Sequence, residues 1–188
     1  MATPKKIETH ERIVSTAARA LRRAGYEGVS VAEIMKDAGL THGGFYAHFA
    51  SRDALVEEAL ERATSDSLGV LAQVTGDGGG IAALAEQYLS DAHLESPEHG
   101  CCMASLGTET RRQPDAVRAI AARGMKQFVA LVERDLPAGL SESERRDEAM
   151  LIVSALVGAM VIARAVESPT LSRQFRAAAK RFVSRKAR

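Results

Sequence analysis

Apolar positions recur along this chain with the period of a helix, and no stretch alternates as a half-buried strand would. Ile13, Ala17, Ala20, Leu21 and Ala24 mark one face of a first helix, which Gly25 ends. Ser30-Val31-Ala32-Glu33 reads as a capping box, the hydroxyl accepting from a free backbone N–H while Glu33 reaches back to the cap. The helix it opens is short, with Val31, Ile34 and Met35 inward, and Gly39 stops it. Thr41 is the next N-cap. In the helix it starts, Phe45 and Phe49 are four apart and face inward while Tyr46 faces out. Ser51 caps a longer helix carrying Leu55, Val56, Ala59 and Leu60, with Asp53 near its positive end.

The run Thr75-Gly76-Asp77-Gly78-Gly79-Gly80 is the clearest break. Helical patterns follow from Ile81 to Leu94 and from Cys101 to Arg111, divided by the residues from Ser96 to Gly100. Pro114 stands where a helix can begin, and Val117, Ile120, Phe128, Leu131 and Val132 run along its inner side until Pro137 and Gly139. Ser141-Glu142-Ser143-Glu144 leads into a helix apolar nearly all round from Ala149 to Ala163. Pro169 divides it from a last amphipathic helix whose apolar residues are Leu171, Phe175, Ala178, Ala179 and Phe182. The expected class is all-α, with about nine helices. The pattern divides before Ser51 into a three-helix part over residues 1–50 and a larger helical part over 51–188.

Composition adds exclusions. The 188 residues are 46% hydrophobic and 26% charged, with net charge +1, which is not the footprint of a non-specific nucleic-acid binder. Charge is uneven, however: up to Arg23 there are six basic residues against Glu8 and Glu11, an excess that suits phosphate contacts or simply a solvated start. Met1 to Glu11 has no apolar core of a signal peptide. Met150 to Ala163 is broken by Ser154 and shorter than the ~18 residues of a membrane span. Adjacent Cys101 and Cys102 cannot build a disulfide framework. A cytoplasmic protein with reduced thiols and no membrane partner is expected. No cofactor or catalytic set is indicated, and His93, His99, Cys101 and Cys102 lack the paired spacing of a metal site.

The stretch from Gly39 to Leu55, after the short capped helix, reads as a helix-turn-helix whose second helix enters the major groove of double-stranded DNA. His42, Gly43 and Gly44 leave a small polar tip. Two successive glycines cost a helix roughly 1 kcal/mol each against alanine, which points to close backbone approach. The span from Ile13 to Leu60 closely resembles the N-terminal domain of the tetracycline-repressor (TetR) family of transcriptional regulators. The matching residues are Gly25-Tyr26, Val29 to Ile34, Ala38-Gly39-Leu40-Thr41, Phe45-Tyr46-Ala47-His48-Phe49 and Ser51 to Leu55. Gly100 to Glu109 also resembles a segment of one broad subgroup.

The resemblance implies a ligand-responsive regulator, most often a repressor released from a palindromic operator by a small molecule. It assigns Thr41, His42, Gly43 and Gly44 to bases or the adjacent phosphate, and Tyr46, His48 and Arg52 to phosphates. Ser30 also resembles a phosphate contact, although its cap accounts for it alone. The first four also read as a cap and a flexible turn, and Tyr46 as cover for the core edge. One departure stands out: Ala32 occupies a position where many relatives carry Arg or another long polar residue, leaving more of the readout to His42 and Arg52.

In the family the last two helices pair across a two-fold axis. Here they map onto Glu144 to Val166 and Leu171 to Val183, with small Ala155, Gly158, Ala159 and Ala163 permitting close approach. The core of a single protomer would show the same pattern. An effector site falls among Tyr88, His93, Cys101, Met103, Met125, Phe128 and Met160, each of which equally suits plain core. Cys101 and Cys102 open a helix, where a thiol is acidified and can sense oxidants or electrophiles, or can merely pack. Two other classes stay open: a thiol enzyme using Cys101 and His99, and a helical binding module that does not touch DNA.

Overall fold

The computed structural model describes residues 3–186, and among them every regular element is helical. Helix α1 runs Pro4–Ala24, α2 Val31–Asp37, a 3-10 helix His42–Ala47, and α3 Arg52–Val74. After a π-helical turn at Thr75–Gly79 come α4 (Gly80–Tyr88), α5 (Asp91–Glu95) and a 3-10 turn at Pro97–His99. Then follow α6 (Cys102–Thr110), α7 (Asp115–Arg134), α8 (Glu142–Ala165) and α9 (Pro169–Lys186). The all-α expectation holds.

Local chemistry sets the ends. Gly25 closes α1 at φ +82°, a left-handed conformation that side chains resist. Ser30 and Ser141 each make the full capping box, with Glu33 and Glu144. The Ser51 hydroxyl accepts the Ala54 N–H at 3.1 Å to open α3.

One expectation needs correction and two gain detail. The pattern from Ile81 to Leu94 is two helices, because the Ser90 hydroxyl accepts the His93 N–H at 3.2 Å and restarts the chain as α5. The glycine-rich run does divide α3 from α4, but as a π-helical turn, with left-handed backbone at Gly78, φ +81°, and Gly80, φ +57°. The inner side of α9 is Ser172, Arg176 and Val183, whereas Leu171 and Phe175 are exposed.

Backbone packing divides the chain into two compact units. The first takes the residues up to Asp66 together with Pro97–Ala121, so α6 belongs to the same unit as α1 and α2. Its core holds Ile13, Leu21, Tyr26, Met35, Phe45, Phe49, Leu55, Leu60 and Leu106. The second unit takes Ser67–Ser96 and the chain from Ala122. There α9 packs on α4 and α8, and Leu84, Tyr88, Phe128, Ile152, Leu156 and Met160 are buried. Arg176 is buried too, its guanidinium donating to the Leu89 carbonyl at 3.0 Å and to Asp91 at 2.6 Å. Among the described residues α8 is the helix long and apolar enough, by length and composition, to cross a membrane. One of its sides carries the buried residues of the second unit, and Met150, Leu151 and Ile162 on it are exposed.

Candidate nucleic-acid interface

The exposed stretch begins with α2. Ser30 accepts the Glu33 N–H at 3.2 Å, and the Glu33 carboxylate takes the Ser30 N–H at 2.8 Å. That backbone N–H, and then the Ser30 hydroxyl donating to the same carboxylate oxygen at 2.7 Å, hold the Glu33 carboxyl below the usual carboxylate range. Gly39, at φ +73°, turns the chain out of α2 while the Leu40 N–H bonds the Met35 carbonyl at 2.8 Å.

The segment after Leu40 differs from the expected capped helix. Residues His42–Ala47 form a 3-10 helix, and the Thr41 side chain makes no cap bond; only its carbonyl receives the Gly44 N–H, at 3.0 Å. Two adjacent glycines favour a full α-turn poorly, and the segment is short enough for the tighter form. It is anchored instead by its rings. Phe45 and Phe49 are 2% and 3% exposed and stack at 5.6 Å, while Tyr46, 73% exposed, meets Phe45 edge-on at 5.2 Å.

Neither glycine answers an internal need. A Cβ on Gly43 would meet nothing within 4 Å, and one on Gly44 would make ordinary contact with the Met35 methyl at 3.6 Å and the Thr41 hydroxyl at 3.9 Å. Their backbones are not left-handed. Ser30, Thr41, His42, Gly43 and Tyr46 are exposed, whereas Gly44, His48 and Arg52 are half-buried. Ala32, which stands where many relatives carry a longer polar residue, is exposed on α2.

Arg52 has an internal partner, since its guanidinium donates to the Tyr26 carbonyl. Tyr26 is fully buried: its N–H bonds Glu109 Oε2 at 3.0 Å and its hydroxyl lies 3.3 Å from Thr110 Oγ1. Burial pushes the Tyr26 phenol pKa up. Nearby, buried Arg22 donates to the carbonyls of Ala18, Ala63 and Gly100, each at 3.2 Å. Burial pulls its pKa down, while the neighbouring Cys102 opposes that shift.

His48 closes the segment. Its Nδ1 is buried without a hydrogen-bond partner, and desolvation, then His10 and Lys6, hold its pKa below the usual histidine value. The sequence reading missed His10, which sits on α1 and reaches Glu58 of α3 at 2.6 Å. It also missed Tyr26 as the hub for Glu109 and Arg52. Partners so far apart in the chain leave no periodic signal.

The seven effector candidates fall in both units. Cys101 and Met103 lie in the first, where both thiols are buried and Cys102 Sγ is 3.8 Å from the Thr64 hydroxyl. Tyr88, His93, Met125, Phe128 and Met160 lie in the second. Tyr88 meets His93 edge-on at 4.7 Å and stacks with Phe128 at 5.7 Å. His93 Nδ1 donates to the Tyr88 carbonyl, and Arg164 donates to the His93 carbonyl. Burial is the largest cause holding the His93 pKa down.

Comparison with known proteins bears on this arrangement. The profile described as bacterial regulatory proteins, tetR family, matches residues 13–59, and the profile described as the tetracyclin repressor-like C-terminal domain matches 80–179. The HTH-type transcriptional regulator LmrA of Bacillus subtilis is 26% identical over 156 residues, 80% of this chain and 82% of that protein. The HTH-type transcriptional repressor NemR of Escherichia coli is 25% identical over 70% of this chain and 69% of its own length. The crystal structure of reduced E. coli NemR superposes with TM-score 0.75 at 20% identity, covering 94% and 95% of the two chains. A TetR-family regulator from Cytophaga hutchinsonii superposes with TM-score 0.78 at 18% identity over 98% and 97%.

Proposed function

Because the chain belongs to the TetR family of bacterial regulatory proteins, we propose that it is a homodimeric, effector-responsive repressor acting on double-stranded DNA in the cytoplasm. Residues 1–50 bind the duplex; residues 51–188 pair the protomers and receive a small molecule. The observation that carries this reading is the outward face of the segment from Thr41 to Tyr46, where Thr41, His42, Gly43 and Tyr46 are exposed. Phe45 and Phe49 hold it outward, and its glycines serve no packing need of their own chain. Thr41, His42, Gly43 and Gly44 approach bases and the adjoining phosphate; Tyr46, His48 and Ser30 take phosphates. Arg52 reaches a phosphate only by sharing or leaving the Tyr26 carbonyl.

Dimerisation rests on a different observation. Met150, Leu151 and Ile162 on α8 and Leu171 and Phe175 on α9 are exposed, large and apolar, on two helices packed together. Such a patch seeks cover, and a two-fold copy covers it with itself. Two recognition segments then meet half-sites one helical turn or a modest multiple apart. The repressor named NemR supports the direction of regulation. The effector reading favours the buried Tyr88, Phe128 and Met160 with the half-buried His93, an effector acting by binding one arrangement of the dimer better than the other.

Selection of bound fragments from random duplex DNA, followed by fluorescence anisotropy at several salt concentrations, tests the reading. A palindromic consensus bound by a dimer is the expected result. Absence of any preferred duplex at every ionic strength would overturn it.

A further inference from the structure

Resting on that reading of the interface, we propose that His10 is a positioning residue for the recognition segment and that its imidazole makes duplex binding depend on pH. His10 lies on α1, outside every DNA-facing position assigned above. Its ring stacks on Phe49 at 4.5 Å with an interplanar angle of 24°. Its Nε2 is 2.6 Å from Glu58 Oε2 on α3. One side chain therefore joins three elements: α1 carries it, α3 pins it, and its face covers the ring that ends the recognition segment. Phe49 in turn stacks on Phe45, and the Phe49 N–H bonds the Phe45 carbonyl at 3.0 Å. The seat of Tyr46 follows from the seat of Phe45, next to it in the chain.

The charged groups around His10 set the sign. Glu58 faces it from α3; His48 faces it from the recognition segment at a ring separation of 6.0 Å; Lys6 lies one turn earlier on α1, near His48. The next residue, Glu11, is occupied by Arg62 at 3.0 Å. A protonated His10 makes a charge-assisted bond to Glu58, and the neutral ring keeps at most a weaker neutral donor. With the ring protonated the anchor is tight; with the ring neutral the hold on Phe49 loosens, so duplex affinity falls as pH rises. Both partners are partly exposed, which keeps the effect modest.

The test measures duplex affinity by anisotropy from pH 5.5 to 8.5 for the unsubstituted protein, His10→Phe, His10→Ala and Glu58→Gln. His42 and His48 are present in all four, so the readout is the difference in slope. We expect the unsubstituted protein to lose about three- to fivefold more affinity across this range than His10→Phe or Glu58→Gln. His10→Phe, which keeps the stack without the charge, should bind at pH 8 as the unsubstituted protein does, and His10→Ala should bind more weakly at every pH. Circular dichroism confirms that each variant is folded, and Glu58→Gln carries the test if a His10 variant is not. An unchanged slope in both His10→Phe and Glu58→Gln overturns the proposal while leaving the DNA-binding reading intact. Failure of the unsubstituted protein to bind any duplex at any pH overturns both.

Discussion

Glu109 on α6 accepts the backbone N–H of Tyr26 at 3.0 Å, although the two residues lie 83 positions apart. The corner between α1 and α2 is thus held by a carboxylate from the middle of the chain. The same carboxylate fills the space beside Gly25, where a Cβ would come within 2.7 Å of it. Tyr26 adds its hydroxyl to Thr110 and its carbonyl to Arg52, so α6, the α1–α2 corner and the start of α3 share one residue.

Gly25→Ala meets two penalties at this corner, a left-handed backbone and a clash with Glu109. We expect a loss of about 2 kcal/mol in urea unfolding. Adding Glu109→Ala to Gly25→Ala should return part of it by removing the clash, a coupling that a double-mutant cycle measures.

Arg22 is buried, and its guanidinium donates to carbonyls of α1, α3 and the residue before Cys101. Arg22→Leu fills some of the volume but supplies no donor. We expect it to cost about 2–4 kcal/mol, read as a lower denaturant midpoint with an unchanged slope.

Gly158 on α8 is open, with nothing within 4 Å of a Cβ placed there. Gly158→Leu should leave the helical content of the protomer unchanged yet crowd the proposed dimer contact. Analytical ultracentrifugation is expected to show half the mass, and operator affinity to drop at least tenfold. Leu151→Glu should do the same through charge on the exposed α8 face.

His93 gives a pH dependence of stability with a definite sign. Its folded pKa lies below the ordinary histidine value because burial disfavours its charged form. The unfolded chain therefore binds more protons, and stability, full above the unfolded value, is lost as pH falls through the folded one. Comparing urea midpoints at pH 8 and pH 5 should show a drop. His93→Asn, whose amide can replace the Nδ1 donor to the Tyr88 carbonyl, should make that drop smaller.

Tyr46 and Arg52 should separate by readout. Tyr46 is exposed, so Tyr46→Ala is expected to weaken duplex binding about tenfold for specific and non-specific sequences alike, with little effect on the thermal midpoint. Arg52 bonds the Tyr26 carbonyl, so Arg52→Ala should lower the thermal midpoint even without DNA.

Much of this protein was legible one short window at a time. The capping box at Ser30, the stops at Gly25 and Gly39, and the inward turn of Phe45 and Phe49 all depend on residues within about four positions, the reach of helical geometry. The recognition motif is equally local, which is why its family resemblance was readable. The chain alone thus determined the all-helical class, most of the longer helices, and where the outward-facing segment lies.

Other features waited for the tertiary structure. An apolar stripe shows that a helix will be covered, without saying by what: Leu171 and Phe175 look like core and are left open, while Ser172 and Arg176 point into the protomer. Arg52 has the chemistry of a phosphate ligand and is turned to a carbonyl; His10 carries no periodic mark and stacks under the recognition segment. Such pairings join residues tens of positions apart, where local propensity has no reach. They were decided by which helices pack together, and so by how the backbone carries each side chain to its neighbour.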